Sequence, residues 1–211
     1  MKYKCIIFDC DGVLVDSEAI SIGTLVNMAK IHGAILDETE AHQLFLGKSL
    51  QFCFDYIAGL AKKKLPDTFE EEFRTCTFNA FQKELKPIKG IHELLAKIDV
   101  PIAVASNGPA DKIRLNLTTT KLIDRFEGNI FSAYDINSWK PNPELYLHAA
   151  KTMGFKVKDC VVIEDSPAGV QAALTGGFDV FGFTNHANLD ALQQMNIPLF
   201  DDMSQLDLLL Q

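Results

Sequence analysis

The sequence predicts an α/β fold, a parallel sheet core with an all-helical domain inserted after the first strand. Three observations predict it. A continuously apolar run, Cys5-Ile6-Ile7-Phe8, stops abruptly at Asp9-Cys10-Asp11-Gly12. A run of that kind bounded by turn residues fits a strand buried on both faces. From Glu18 to Pro87 there is no strand candidate, and the apolar residues recur at helical spacing. From Gly90 onward, short apolar runs alternate with helical segments, as in a sheet with right-handed crossovers. Residues 1–17 and 88–211 are therefore expected to form the core, and residues 18–87 the helical insert.

Within the insert, Ala19 to His32 carries Ile22, Leu25, Val26 and Ala29 at helical spacing, and Gly33 stops the run. Glu38 to Phe45 reads as a second helix, ending near Gly47. Ser49 can cap a third through Phe52, Phe54, Ile57 and Leu60, broken by Lys62-Lys63-Lys64 and Pro66. Asp67 to Leu85 is a longer helix with Phe69, Phe73, Phe78 and Phe81 on one side. These phenylalanines read as the insert's own core, because a nucleic-acid stacking surface needs interleaved basic residues.

In the remainder, Ile91 to Ile98 is helical, and Pro101 to Ala105 is a strand ending in Ser106-Asn107-Gly108. Pro109 opens the next helix, a position proline favours. Phe126 to Ser132 holds a short strand, and Tyr134 to Trp139 is a loop ending in Lys140-Pro141-Asn142-Pro143. Glu144 to Met153 is helical. Cys160 to Ile163 is a strand ending in Glu164-Asp165-Ser166, Pro167 to Thr175 a helix, Asp179 to Phe183 a strand, and Met203 to Leu210 a final helix.

Composition narrows the function. The 211 residues carry a net charge of −8, which argues against nucleic acid and anionic membranes as partners. Five scattered cysteines with no CxxC pair read as reduced thiols without zinc spacing. The five histidines (His32, His42, His92, His148, His186) also lack metal spacing. With no signal-peptide pattern and no bilayer-length apolar run, the expected location is the cytoplasm. The expected state is a monomer or weak dimer.

The strand ends carry the chemistry, since ligands of open α/β sheets bind outside the carboxyl ends of the strands. Collected there are Asp9 and Asp11, Ser106 and Asn107, Lys140, and Glu164 and Asp165. Such a set can transfer a phosphoryl group. One carboxylate attacks phosphorus, and a second donates a proton to the leaving oxygen and later takes one from water. A hydroxyl and an ammonium bind the phosphoryl oxygens. A further acidic pair completes a Mg²⁺ site, a hard cation that accepts one or two carboxylates plus phosphate and water. Each feature alone is common at a strand end; their joint occurrence, in this order, carries the reading.

The chain resembles the haloacid dehalogenase superfamily of phosphatases along almost its whole length. Asp9-Cys10-Asp11-Gly12-Val13-Leu14-Val15-Asp16-Ser17 is similar to the family's first motif, Ser106 to the second, Lys140 in Lys-Pro-Asn-Pro to the third, and Glu164-Asp165-Ser166 with Gly169 to the fourth. The resemblance implies a Rossmann-like core with Asp9 as nucleophile and Asp11 as general acid/base. It implies Mg²⁺ held by Asp9, the backbone carbonyl of Asp11, and Asp165, with Glu164 as a further ligand or outer partner. Ser106 and Lys140 would bind the transferring phosphate, with Asn107 beside them. Asp9 is also the better-fixed carboxylate, because it ends the strand.

The helical insert resembles the small cap of the β-phosphoglucomutase-like branch, which closes over the site; Gly47 and Lys48 would then contact a small phosphorylated substrate. Within that branch, Val104 to Pro109 and Phe131 to Pro141, including Trp139, resemble the bacterial 6-phosphogluconate phosphatases. That implies a sugar-phosphate or sugar-acid-phosphate substrate. Ser21 replaces the histidine of a phosphoglucomutase, and Leu46 and Leu50 replace its cap lysine and arginine, so hydrolysis is favoured over mutase activity, the alternative. A phospho-receiver domain is the distant alternative. It carries its acceptor on a middle strand and has no insert, whereas here about seventy helical residues follow the first strand.

Overall fold

A computed structural model describes residues 2–45, 48–185 and 188–211. In chain order the elements are β1 (Cys5–Phe8), β2 (Val15–Asp16), α1 (Glu18–Ile31), α2 (Glu38–Phe45), α3 (Leu50–Leu60), α4 (Phe69–Glu84), β3 (Lys86–Pro87), α5 (Ile91–Lys97), β4 (Ile102–Ser106) and α6 (Ala110–Thr119). They continue with α7 (Ile123–Phe126), β5 (Ile130–Ser132), α8 (Ala133–Ile136), α9 (Glu144–Thr152), β6 (Cys160–Glu164), α10 (Pro167–Thr175), β7 (Asp179–Phe183), α11 (Leu189–Gln193), β8 (Leu199–Phe200) and α12 (Met203–Leu209). Backbone contacts divide the chain into two compact units, Met1–Asp16 with Lys86–Gln211, and Ser17–Leu85.

The first unit is α/β. Among the described residues its six-stranded sheet runs β5-β4-β1-β6-β7-β8, all pairs parallel. β1 lies between β4 and β6, with Phe8 level with Val104 on one side and Ile163 on the other. The chain therefore winds outward in both directions from β1, which puts the end of β1 at the point where the strand order switches. Both faces are covered, so the interiors of the central strands are apolar and polar residues stand only at their ends. Cys5 and Ile7 pack with Tyr146, Ala149 and Val170 from α9 and α10. Phe8, one residue on, meets Phe126 of α7 edge to face, ring centroids 6.1 Å apart.

The second unit is helical. Ile22, Leu25, Met28 and Ala29 of α1 bury against Phe45 of α2, Cys53 and Ile57 of α3, and Phe69 and Phe73 of α4. Phe54 stands edge-on to both Phe69 and Phe73, at 5.4 and 5.7 Å. The Ser49 hydroxyl accepts the Phe52 N–H and caps α3, as its sequence suggests.

The structure corrects several sequence readings. The buried row on α4 is Phe69, Phe73, Thr77 and Phe81; Phe78 falls between rows and is half-exposed. A strict four-residue step admits threonine because its hydroxyl donates to the Phe73 carbonyl at 2.7 Å. Lys86–Pro87 is a short strand paired antiparallel with Val15–Asp16, too brief to show periodicity and tolerant of proline at an edge. Tyr134 to Trp139 is not all loop, since α8 runs to Ile136, opened by the Ser132 hydroxyl and ended by Asn137 in the left-handed region. α7, α11 and β8, two to five residues each, lie in stretches without a clear pattern. No helix of the described residues is long and apolar enough to cross a membrane.

Candidate active site

The end of β1 is pinned before its chemistry begins. The Asp9 N–H donates to the Ile163 carbonyl at 2.9 Å, carrying the sheet ladder one residue past the strand. The chain then folds into a tight turn, with Leu14 and Val15 both donating to the Cys10 carbonyl. Gly12 has φ +85°, and a Cβ there would overlap the Asp165 carboxylate. Glycine is required twice over, for the turn and for the approach of Asp165 from the end of β6.

Lys140 joins the two central strands. Its Nζ lies 2.5 Å from Asp9 Oδ1 and 2.7 Å from Glu164 Oε1, and all three residues are buried. Glu164 is fully enclosed. Besides Lys140 it accepts the Tyr146 hydroxyl at 3.0 Å and both the N–H and hydroxyl of Ser166 at 2.7 and 2.9 Å. The Ser166 hydroxyl in turn accepts the Gly169 N–H and caps α10. A Cβ at Gly169 would overlap the Glu164 carboxylate, so this glycine makes room for the buried acid. The Lys140 ammonium also sits 4.9 Å from the centre of the Tyr146 ring.

The electrostatics are lopsided. Burial pushes Asp9 up to about 7 against the pull of Lys140, with Glu164 and Asp11 adding to the rise. Burial alone would lower Lys140, but the Asp9 and Glu164 carboxylates outweigh it and hold the ammonium well above the ordinary lysine range. Single oxygens of Asp9, Glu164 and Asp165 lie within 4.8 Å of one another. Three carboxylates thus face one ammonium, and an all-oxygen set with surplus negative charge suits a hard divalent cation. Glu164 has four donors already, which leaves Asp9 and Asp165 as the better direct ligands. The Asp165 backbone carbonyl is held by Asn188 Nδ2 at 2.7 Å.

Ser106 ends β4 buried, level with Ser132 of β5, and its hydroxyl accepts the Gly108 N–H at 3.1 Å. Asn107 Oδ1 accepts the Lys140 backbone N–H at 2.9 Å, so its amide oxygen braces the lysine loop. Asp11 turns from the carboxylate cluster toward α6, where Lys112 Nζ and Asn116 Nδ2 meet it. The structure thus brings together Asp9, Lys140, Glu164 and Asp165, with Ser106, Asn107 and Asp11 at neighbouring strand ends. Lys48 lies in the helical unit, exposed, its Nζ 5.8 Å from the Phe52 ring centre. Gly47, with Leu46 and His186, lies outside the described residues.

Four residues escaped the sequence reading. Lys112 and Asn116 stand one turn apart on the helix after the serine loop, a spacing that could have flagged them. Tyr146 looked like an ordinary helix-core residue, and Asn188 had no signal at all.

Comparison with known proteins places the molecule among relatives. Residues 6–183 match the family described as haloacid dehalogenase-like hydrolase. The chain is 34% identical over 206 residues to 6-phosphogluconate phosphatase of Escherichia coli, spanning 97% of this chain and 93% of that one. It is 28% identical to hexitol phosphatase A of the same organism, over 94% and 91% of the two chains. The crystal structure of a HAD family hydrolase from Deinococcus radiodurans with bound phosphate and sodium superimposes with a TM-score of 0.81 at 28% identity, covering 97% and 93%.

Proposed function

The chain belongs to the haloacid dehalogenase-like hydrolase family and is a phosphoric monoester hydrolase, and we propose that it dephosphorylates a small phosphorylated sugar or sugar acid through an aspartyl-phosphate on Asp9, with Mg²⁺ as cofactor. 6-Phosphogluconate is the first candidate, the substrate named for the relative at 34% identity. The observation that carries the reading is the buried Lys140 bridge between Asp9 and Glu164, with Asp165 within reach, at the end of the central strand.

In this reading Asp9 attacks phosphorus, and the buried ladder bond to Ile163 keeps its backbone in line. Lys140 and the Ser106 hydroxyl hold the phosphoryl oxygens, where charge is concentrated. Asp11 gives its proton to the departing sugar oxygen, then takes a proton from the water that hydrolyses the aspartyl-phosphate. Mg²⁺, when bound by Asp9 and Asp165, supplies the positive charge that keeps Asp9 ionised and the phosphate oriented. Glu164 and Asn107 act on Lys140, one through its ammonium and one through its backbone. The Ser21 hydroxyl is engaged with the Ser17 carbonyl at 2.9 Å inside its own helix, which supports plain hydrolysis over a mutase cycle.

The test is phosphate release, in Mg²⁺, from a panel of sugar and sugar-acid phosphates that includes 6-phosphogluconate. Asp9→Asn is expected to lose at least about 10³-fold in kcat with an unchanged circular dichroism spectrum. Turnover retained by Asp9→Asn would overturn the nucleophile assignment.

A further inference from the structure

Lys112 and Asn116 reach the same carboxylate from successive turns of α6. Lys112 Nζ lies 2.7 Å from Asp11 Oδ2, and Asn116 Nδ2 lies 3.2 Å from Asp11 Oδ1. Each oxygen of Asp11 is thus met by a different donor. The lysine stem passes close to the serine loop: a Cβ on Gly108 would stand 3.4 Å from Lys112 Cδ and 3.5 Å from Ser106 Oγ.

Asn116 carries the second half of the argument. It is fully buried on a helix face otherwise made by Ile113 and Leu117. Its Oδ1 has no hydrogen-bond partner among the described residues. A buried amide with one end unsatisfied costs stability that an aliphatic side chain would not. Flipping the amide would set Oδ1 against the Asp11 carboxylate, so its orientation is dictated by that contact. What the residue does for the fold is unfavourable; what it does for Asp11 is specific.

We propose that Lys112 and Asn116 are positioning residues that aim the Asp11 carboxyl at the leaving oxygen, and so set the enzyme's competence on esters of poor leaving groups. This rests on the reading of Asp9 and Asp11 given above. In the step concerned, the bond from Asp9 to phosphorus forms as the bond from phosphorus to the ester oxygen breaks. The Asp11 proton passes to that oxygen, so the sugar departs as a neutral alcohol and Asp11 is left as a carboxylate. A misaimed Asp11 forces the sugar to leave as an alkoxide. p-Nitrophenolate is stable as an anion and needs no such proton, so a loss of aim penalises it far less.

The experiment compares kcat/KM in Mg²⁺ on 6-phosphogluconate and glucose 6-phosphate with that on p-nitrophenyl phosphate. This parameter reports the steps up to departure of the alcohol, so the later task of Asp11 does not enter. In Lys112→Met the ratio of alkyl to aryl ester is expected to fall by roughly 10- to 100-fold, in Asn116→Leu by less, and Lys112→Arg is expected to restore part of it. Inactive or misfolded protein cancels in the ratio. A ratio within about twofold of wild type, inside ordinary assay scatter, in both Lys112→Met and Asn116→Leu overturns the proposal. Asp9→Asn runs alongside: turnover there overturns the parent reading and this one with it, whereas an unchanged ratio in an enzyme that needs Asp9 overturns only the positioning role.

Discussion

The two units bury different things. Among the described residues, the α/β unit encloses Asp9 and Glu164 at the ends of β1 and β6 and Lys140 in the loop after α8, the lysine bonded to both acids. The helical unit encloses no carboxylate, imidazole, ammonium or guanidinium among its described residues; besides the Cys53 thiol, its buried polar side chains are the hydroxyls of Ser17 and Thr77, the latter turned back on its own helix. Outside, both units expose some large apolar side chains. The helical unit exposes Leu50, Phe52, Tyr56 and Leu60 along α3. A buried ion pair is weak evidence for stability, because desolvation offsets most of the attraction. Buried charges confined to one unit and to one edge of its sheet therefore single out that edge as the candidate site. The helical unit's interior reads as packing alone.

Breaking the room around the buried acid tests that contrast most severely. Gly169→Ala pushes a methyl into the Glu164 carboxylate and, through it, displaces Lys140. A misplacement of this size is expected to lower kcat by about 10²-fold or more, with a stability loss of about 1–3 kcal/mol. Steady-state kinetics and urea unfolding measure the two. A kcat near wild type would show that the Glu164 packing does not govern the site.

A middle-sized effect should appear with pH in protein stripped of divalent ions. Asp9 is raised from 3.8 to about 7 in the fold by burial. The native state then holds a proton that the unfolded chain has released, so stability falls as pH rises between about 4 and 7. Melting temperatures across that range should decline, and added Mg²⁺ should flatten the decline by favouring the ionised form. A stripped protein that gains stability over this interval would contradict an Asp9 held up by burial.

The smallest effect is expected in the other unit. Ser49→Ala removes the side-chain cap of α3 and should cost about 1 kcal/mol in urea unfolding, while kcat and KM stay near wild type. A fall in kcat would place chemistry in the helical unit and end the division drawn here.

Legibility in the sequence followed the range of the forces. β1, β4, β6 and β7 are short apolar runs closed by polar residues, and their ends displayed Asp9, Ser106, Glu164 and Asp165 directly. Lys140 was legible through its Lys-Pro-Asn-Pro setting. Elements of two to five residues, such as β3, β8, α7 and α11, were not, because they exist through partners rather than local preference. Thr77 in place of Phe78 shows the same limit inside a well-formed helix. Side-chain size suggested one row; the packing of α4 against α1 selected another.

By itself the sequence determined the alternation of strands and helices, the insert after the first strand, and the candidate set of polar groups that follow the strands. Period and turn chemistry act within a few residues and need nothing from the rest of the chain. Only the tertiary structure decided which groups meet. Lys140 and Glu164 lie 24 residues apart, Lys140 and Asp9 131, and Lys112 and Asp11 101. Their contacts exist because parallel strands bring their carboxyl ends, and the loops and helix starts that follow them, to one edge. The climb of the Asp9 pKa, the spare room at Gly12 and Gly169, and the two donors on Asp11 all arise from that convergence. They are properties of burial and close approach, and no local window of sequence contains them.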